Sequence, residues 1–161
     1  MRRRSASRAG FRTRFSCRLP IDDLVALRAD DPLGAAREAG GPDLGPYERA
    51  FAAVDADPAH LLVVVQAGDD VVGTLQLSFL PGLSRRGAVR AQVEGVRVRA
   101  DRRGAGLGEA LLRWSVAEAR RRRCWLVQLT TDRSRTDAHR FYERLGFVAS
   151  HVGFKLELAG S

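Results

Sequence analysis

The chain has 161 residues, 45% of them hydrophobic, and a formal net charge of +8. That length accommodates one domain with a sizeable core, and no apolar run approaches the roughly 20 residues of a membrane span, which argues against a membrane protein. Lys155 is the only lysine among 27 basic residues, so the charge reads as a compositional bias toward arginine rather than as the footprint of a nucleic-acid partner.

Residues 1–9 are basic but lack the apolar stretch of a secretory signal, and a disordered tail is expected there. A single domain is expected over 10–158, with 159–161 a short tail. Cys17 and Cys124 form no C-x-x-C pair or disulfide framework, which suits buried thiols in a reducing, cytoplasmic compartment. His60, His139 and His151 show no metal-ligand spacing, so no metal is expected.

In chain order, Phe11 to Leu19 alternates as a first strand. Pro20, Asp22 and Asp23 open a helix through Leu24, Leu27 and Arg28. Ala29 to Pro46 is rich in Gly and Pro and reads as a long binding loop or lid. A second helix covers Tyr47 to Val54. Leu61 to Ala67 is a strongly apolar central strand, turned at Gly68-Asp69-Asp70 into a partner strand, Val71 to Leu80, with a bulge at Gly73. After the turn Pro81 to Gly87 comes a strand from Ala88 to Arg99.

The stretch that organises the chain follows, VEGVRVRADRRGAGLGEALLRW, Val93 to Trp114. Its β-branched residues give way to Gly104, Gly106 and Gly108, then to helical spacing at Leu107, Leu111 and Trp114. A helix N-terminus has unpaired N–H groups and partial positive charge, and glycines let such groups surround a phosphate. Arg103, Gly104, Ala105, Gly106, Leu107, Gly108 and Glu109 make up that turn and the start of the helix. The dinucleotide fingerprint fails, because its last glycine would fall on Glu109. The P-loop fails for want of a lysine. R-x-x-G-x-G, on Arg103, Gly106 and Gly108, does fit. A strand–helix turn in which glycine only relieves strain is the alternative.

The helix is expected over Gly106 to Arg122, followed by a buried strand, Cys124 to Thr131. A strand, a crossover helix and a strand imply a parallel pair. Asp137 to Leu145 is a helix closed by Gly146, and Phe147 to Leu158 supplies one or two last strands. The fold class is α/β: a mixed, mostly antiparallel sheet with a parallel pair at the glycine turn and helices on both faces.

Three segments in this order, the R-x-x-G-x-G turn, the strand WLVQLTT and DAHRFYERLGF (Asp137 to Phe147), resemble the GNAT N-acetyltransferase superfamily. The last is similar to small bacterial members, including aminoalkylphosphonate N-acetyltransferases. The resemblance implies a GNAT fold with the parallel pair splayed around the acyl-CoA site. It implies acetyl-CoA as acyl donor, with the backbone of Val96, Arg97 and Val98 pairing the pantetheine arm and the amides of Arg103 to Glu109 holding the pyrophosphate. Gly95 would form a bulge aiming an N–H at the thioester carbonyl, or merely relieve close packing. Tyr142 would protonate the departing sulfur. Glu94 is the candidate base, with a salt-bridged carboxylate as its plain alternative; Asp132 and His139 are weaker candidates. The acceptor implied is a small-molecule amine. Asp30, Asp31 and Glu38 would attract a cationic amine, whereas Arg85, Arg86 and Arg90 would pair a carboxylate, phosphate or phosphonate, and each set reads equally as solvated surface. A protein amine as acceptor, an aminoacyl-tRNA as donor, and a non-catalytic CoA-binding domain stand as alternatives, and a homodimer is suggested at family level.

Overall fold

The computed structural model describes residues 7–8, 11–15, 21–30, 35 and 43–158. It divides into two compact units, residues 1–128 and 129–161.

The strands are β1 (Ser7–Arg8), β2 (Phe11–Phe15), β3 (His60–Ala67), β4 (Asp70–Pro81), β5 (Val89–Val98) and β6 (Leu126–Leu129). They lie in that order in one sheet. Each pair from β1 to β5 is antiparallel. At the far edge Trp125 N donates to Val89 O at 2.9 Å, and Gln128 Nε2 donates to Gln92 Oε1 at 2.6 Å. Both partners rise together in number, so β6 runs parallel to β5 and the sheet is mixed, as expected from the crossover.

The helices are α1 (Ile21–Ala29), α2 (Gly45–Ala56), α3 (Leu107–Arg121) and α4 (Thr136–Arg144). α1 sets Leu24 and Leu27 against Val64 and Val71, with Phe51 and Leu62 beside them. α3 buries Leu107, Leu111, Leu112, Ser115 and Ala119. A Cβ at Gly73 would lie 3.3 Å from Leu107 Cδ2 and 3.4 Å from Leu111 Cδ1, so the missing side chain lets α3 approach β4. Val65 pairs with Gly73 and Val64 with Thr74. Side chains alternate along a strand, so α1 and α3 cover opposite faces. This explains the run Val63-Val64-Val65, buried on both sides. Each fully buried Val or Leu stabilises by about 1.5–3 kcal/mol. Thr74, also buried, donates its hydroxyl to Val63 O at 2.8 Å.

Boundaries shift by a residue or two from the sequence reading, and three differences are larger. The irregularity in β3–β4 falls between Val65 and Gln66 and leaves Val72 as the extra residue, beside Gly73 rather than on it. β6 is four residues long and half-buried, because it forms the sheet's end rather than an interior strand. The strands expected within Phe147 to Leu158 are not formed. Helix α4 ends at Arg144, Gly146 follows with φ +88°, and residues 147–158 carry no helix or strand. Their large apolar side chains, Val148, Val152, Phe154, Leu156 and Leu158, are exposed.

Candidate active site

Two features of residues 1–128 meet on β5. The first is a bulge. Thr74 pairs with Arg97 and Gln76 with Glu94, so Gly95 and Val96 together stand opposite Leu75. Gly95 has φ +58°, a value that glycine adopts without a Cβ penalty. Contacts from β6 reach β5 at Val89 and Gln92. Among the described residues, no strand pairs with the outer edge of Gly95 to Val98. A chain-like ligand could lie there as an added strand.

The second feature is the glycine turn. Arg99 N donates to Val72 O at 3.0 Å, and a 3₁₀ turn over Ala100–Arg102 follows. Gly104 and Gly106 both have φ +79°, and a Cβ at either would meet nothing within 4 Å. Their role is therefore conformational, with open space in front. Ala110 N donates to Gly106 O at 3.0 Å as the first helical bond. The N–H groups of Leu107, Gly108 and Glu109 precede it and have no acceptor within α3. Glu109 itself is held by Arg113 Nε at 2.7 Å.

The arginines here are largely committed. Arg103 Nε donates to Val98 O at 3.0 Å, and its Nη2 reaches Asp30 O at 2.6 Å and Asp30 Oδ2 at 3.1 Å. Ala100 N donates to the same Oδ2 at 2.7 Å. Asp30, expected to draw in a cationic amine, thus braces the glycine turn with its carboxylate already engaged. Asp31 and Glu38 lie outside the described residues. Arg97 Nη1 donates to Val96 O at 2.9 Å, so the carbonyls of Val96 and Val98 each accept a guanidinium bond and keep a second lone pair. Arg99 binds Asp101 at 2.7 Å and 3.0 Å and Asp70 at 3.3 Å. These bonds to Arg99 hold the Asp101 carboxyl below the usual range.

On the face of the sheet shared with α1, β5 carries a polar row of exposed Arg90, half-buried Gln92 and exposed Glu94. Glu94 is exposed beside the bulge, and among the described residues no ion pair holds it. The salt bridge considered as its alternative role, to Arg90 or Arg97, is not made. Sequence reasoning missed Arg28. From the last turn of α1 its guanidinium sits over the bulge, with Nη2 3.2 Å and Cζ 3.7 Å from where a Cβ on Gly95 would be. The available signal was Arg28 one turn after the buried Leu24, on the sheet-facing side of α1. In the β4–β5 turn, Arg85 and Arg86 take left-handed φ of 52° and 60°, and the Arg85 guanidinium stacks on Trp125 at 4.0 Å. Arg86 and Arg90 are exposed.

In residues 129–161, Tyr142 lies on α4 between Phe141 (ring centroids 5.3 Å apart) and Phe147 (6.0 Å). The amides of Leu145 and Phe147 both donate to its carbonyl. His139 bonds the Asp132 carbonyl through Nε2 at 2.9 Å, and the Asp132 carboxylate accepts from Ser134 N and Oγ, so neither candidate base is unengaged. Burial raises the Cys124 thiol above its ordinary range; Cys17 lies outside the described residues. Among the described residues no cluster of His, Cys, Asp and Glu is arranged for a metal, and no helix is long and apolar enough to cross a membrane.

The comparisons with known proteins agree with this geometry. An aminoalkylphosphonate N-acetyltransferase from Salmonella typhimurium is 34% identical over 113 residues, 70% of this chain and 72% of that protein. A glucosamine 6-phosphate N-acetyltransferase from Trypanosoma brucei brucei is 34% identical over 88 residues, covering 55% of this chain and 58% of that one. A crystal structure of a transcriptional regulator from Bacillus halodurans C-125 superposes with TM-score 0.85 at 42% identity, over 91% of this chain and 98% of that one. The sequence profile of the acetyltransferase (GNAT) family matches residues 22–147. With its mixed sheet, its bulged fifth strand and its glycine turn opening α3, the chain belongs to the GNAT family and is an N-acetyltransferase.

Proposed function

We propose that this protein moves the acetyl group of acetyl-CoA onto the primary amine of a small molecule bearing an anionic phosphonate or phosphate. The observation that carries the reading is the β5 edge, with a bulge at Gly95 between an open strand segment and the exposed Glu94. Both curated relatives described above carry names of amine acetylation on phosphorus-containing molecules, which supports the anionic class.

In this reading the pantetheine arm runs along Val96, Arg97 and Val98, and the pyrophosphate rests on the amides of Arg103 to Glu109, where the helix dipole favours negative charge. The acetyl carbonyl points at a backbone N–H near Val96, which stabilises the oxygen as it gains charge. Glu94, directly or through water, takes the proton that frees the amine lone pair. The nitrogen attacks the carbonyl carbon, the carbon–sulfur bond breaks, Tyr142 donates its phenolic proton to the leaving thiolate, and the second proton shed by the acylated nitrogen returns to the phenolate through water. A phenol stays protonated at neutral pH, since its pKa is near 10. Among the engaged groups, Asp30 serves the turn rather than the acceptor. A cytoplasmic setting and a homodimer accompany this reading.

The test is release of free thiol from acetyl-CoA against amines, amino acids, polyamines, aminoglycosides and aminophosphonates. Turnover is expected to be greatest on aminophosphonates. Tyr142→Phe is expected to lower kcat by about 10²-fold or more, with acetyl-CoA affinity far less affected. CoA binding without turnover on any amine would favour a binding domain instead.

A further inference from the structure

We infer that Arg28 is the residue that reads the acceptor's anionic group, and that the acceptor is therefore a short aminoalkyl acid whose amine and anion lie only a few bonds apart. The inference rests on the reading given under Proposed function and deepens it.

The argument is one of reach. The bulge at Gly95 marks the reacting carbonyl, and the Arg28 guanidinium sits directly over it, with Nη2 3.2 Å and Nη1 3.7 Å from the position a Cβ would take. Arg28 is half-buried, and among the described residues neither a hydrogen bond nor an ion pair engages it. Its helix is fixed on the sheet by Leu24 and Leu27, so the stem of Arg28 starts from a fixed point beside the bulge. An attacking nitrogen must come within about 3–3.5 Å of the carbonyl carbon, and a guanidinium bonds an anion at about 2.7–2.9 Å. An anion on Arg28 thus falls within a few ångströms of the nucleophile.

Arg90 cannot serve such a molecule. It stands five residues before Gly95 on β5, on the order of 16 Å away at ~3.3 Å per residue. Arg85 and Arg86, in the turn before β5, precede Arg90 in the chain, and the Arg85 guanidinium is stacked on Trp125. Those three arginines suit only a long acceptor. A planar guanidinium also offers two parallel N–H groups to a phosphonate or carboxylate, which a lysine does not. Gly95 then has a second role besides its left-handed φ. A side chain there would push the guanidinium out of position.

The experiment compares kcat/KM for aminomethylphosphonate, 2-aminoethylphosphonate and glucosamine 6-phosphate, with ethanolamine as the uncharged control, in wild type, Arg28→Gln, Arg28→Lys and Arg90→Gln. Arg28→Gln is expected to lower the ratio of 2-aminoethylphosphonate to ethanolamine by about 10- to 100-fold, chiefly through KM, and Arg28→Lys to restore part of it. Arg90→Gln should leave that ratio within about twofold. An unchanged ratio in Arg28→Gln, an equal fall for charged and uncharged acceptors, or the loss appearing in Arg90→Gln would overturn the inference. So would a wild type that prefers glucosamine 6-phosphate. If Arg28→Gln does not fold, the ratio in Arg28→Lys decides. If wild type releases no thiol with any acceptor, the proposed function fails by itself. Calorimetry with methylphosphonate then decides for Arg28: binding lost in Arg28→Gln supports the assignment, and binding absent from wild type or equal in both overturns it.

Discussion

The carboxylate of Asp30 and the guanidinium of Arg103, 73 residues apart, close on each other at 3.1 Å, while the Asp30 carbonyl takes the same nitrogen at 2.6 Å. Ala100 N completes the joint at 2.7 Å. The arginine of the R-x-x-G-x-G pattern is therefore a brace that fixes the start of the glycine turn to the end of α1. Asp30→Asn is expected to raise the Kd for acetyl-CoA by about 3- to 10-fold while changing stability by under ~1 kcal/mol, the scale of a solvent-reached ion pair. Calorimetric titration beside thermal melts checks both. A large loss of stability with unaltered affinity would show the brace to be structural alone.

Gly106 has φ +79° and open space around its missing Cβ. Gly106→Ala should cost about 1–2 kcal/mol of backbone strain and little else. Gly106→Val adds bulk where a diphosphate would approach, and acetyl-CoA affinity should fall by at least about tenfold beyond the alanine variant. Equal affinities in the two would mean that the ligand does not come near this turn.

Gly73 acts through packing. A Cβ there would meet Leu107, Leu111 and the Arg97 carbonyl at 3.3–3.4 Å. Gly73→Val is expected to destabilise by about 1–3 kcal/mol, read as a Tm lower by roughly 2–4 °C per kcal/mol. Loss of activity should follow loss of fold, with no separate effect on KM once the protein is folded.

Glu118 sits on α3 with its side chain 12% exposed, bonded to Arg121 at 2.6 and 2.7 Å and to Arg122 at 2.9 Å. The bond to Arg121, ahead of that to Arg122, lowers its carboxyl below the ordinary value of 4.5. A depressed folded-state value means that the stabilisation is complete above the unfolded pKa and is lost as pH falls through the folded one. Thermal melts from pH 6 to pH 3 should therefore show wild type losing stability over Glu118→Gln below about pH 4.5. The difference at pH 6 should be on the order of 0.5–1 kcal/mol, because Arg121 is largely exposed. A gap that widens on acidification would refute the sign.

The sequence alone determined what repeats locally. A continuous apolar run marked β3, β-branched residues marked β4 and β5, the spacing Leu107, Leu111, Leu112 marked α3, and the glycine pattern marked its opening turn, because backbone preference and burial period are written residue by residue. Partnership is not written that way. The alternation at Val152, Phe154, Leu156 and Leu158 is a strand pattern, yet a strand needs a ladder beside it, and the structure assigns no strand to residues 147–158. Asp30 looked like a lure for amines until the fold set it against Arg103 and Ala100. Arg28 was read only as a member of its helix until the fold set it over Gly95. Charged side chains in loops and helix ends have the same local signature whatever they meet, and only the packing of α1 across β4 and β5 decided which of them stand beside the β5 bulge.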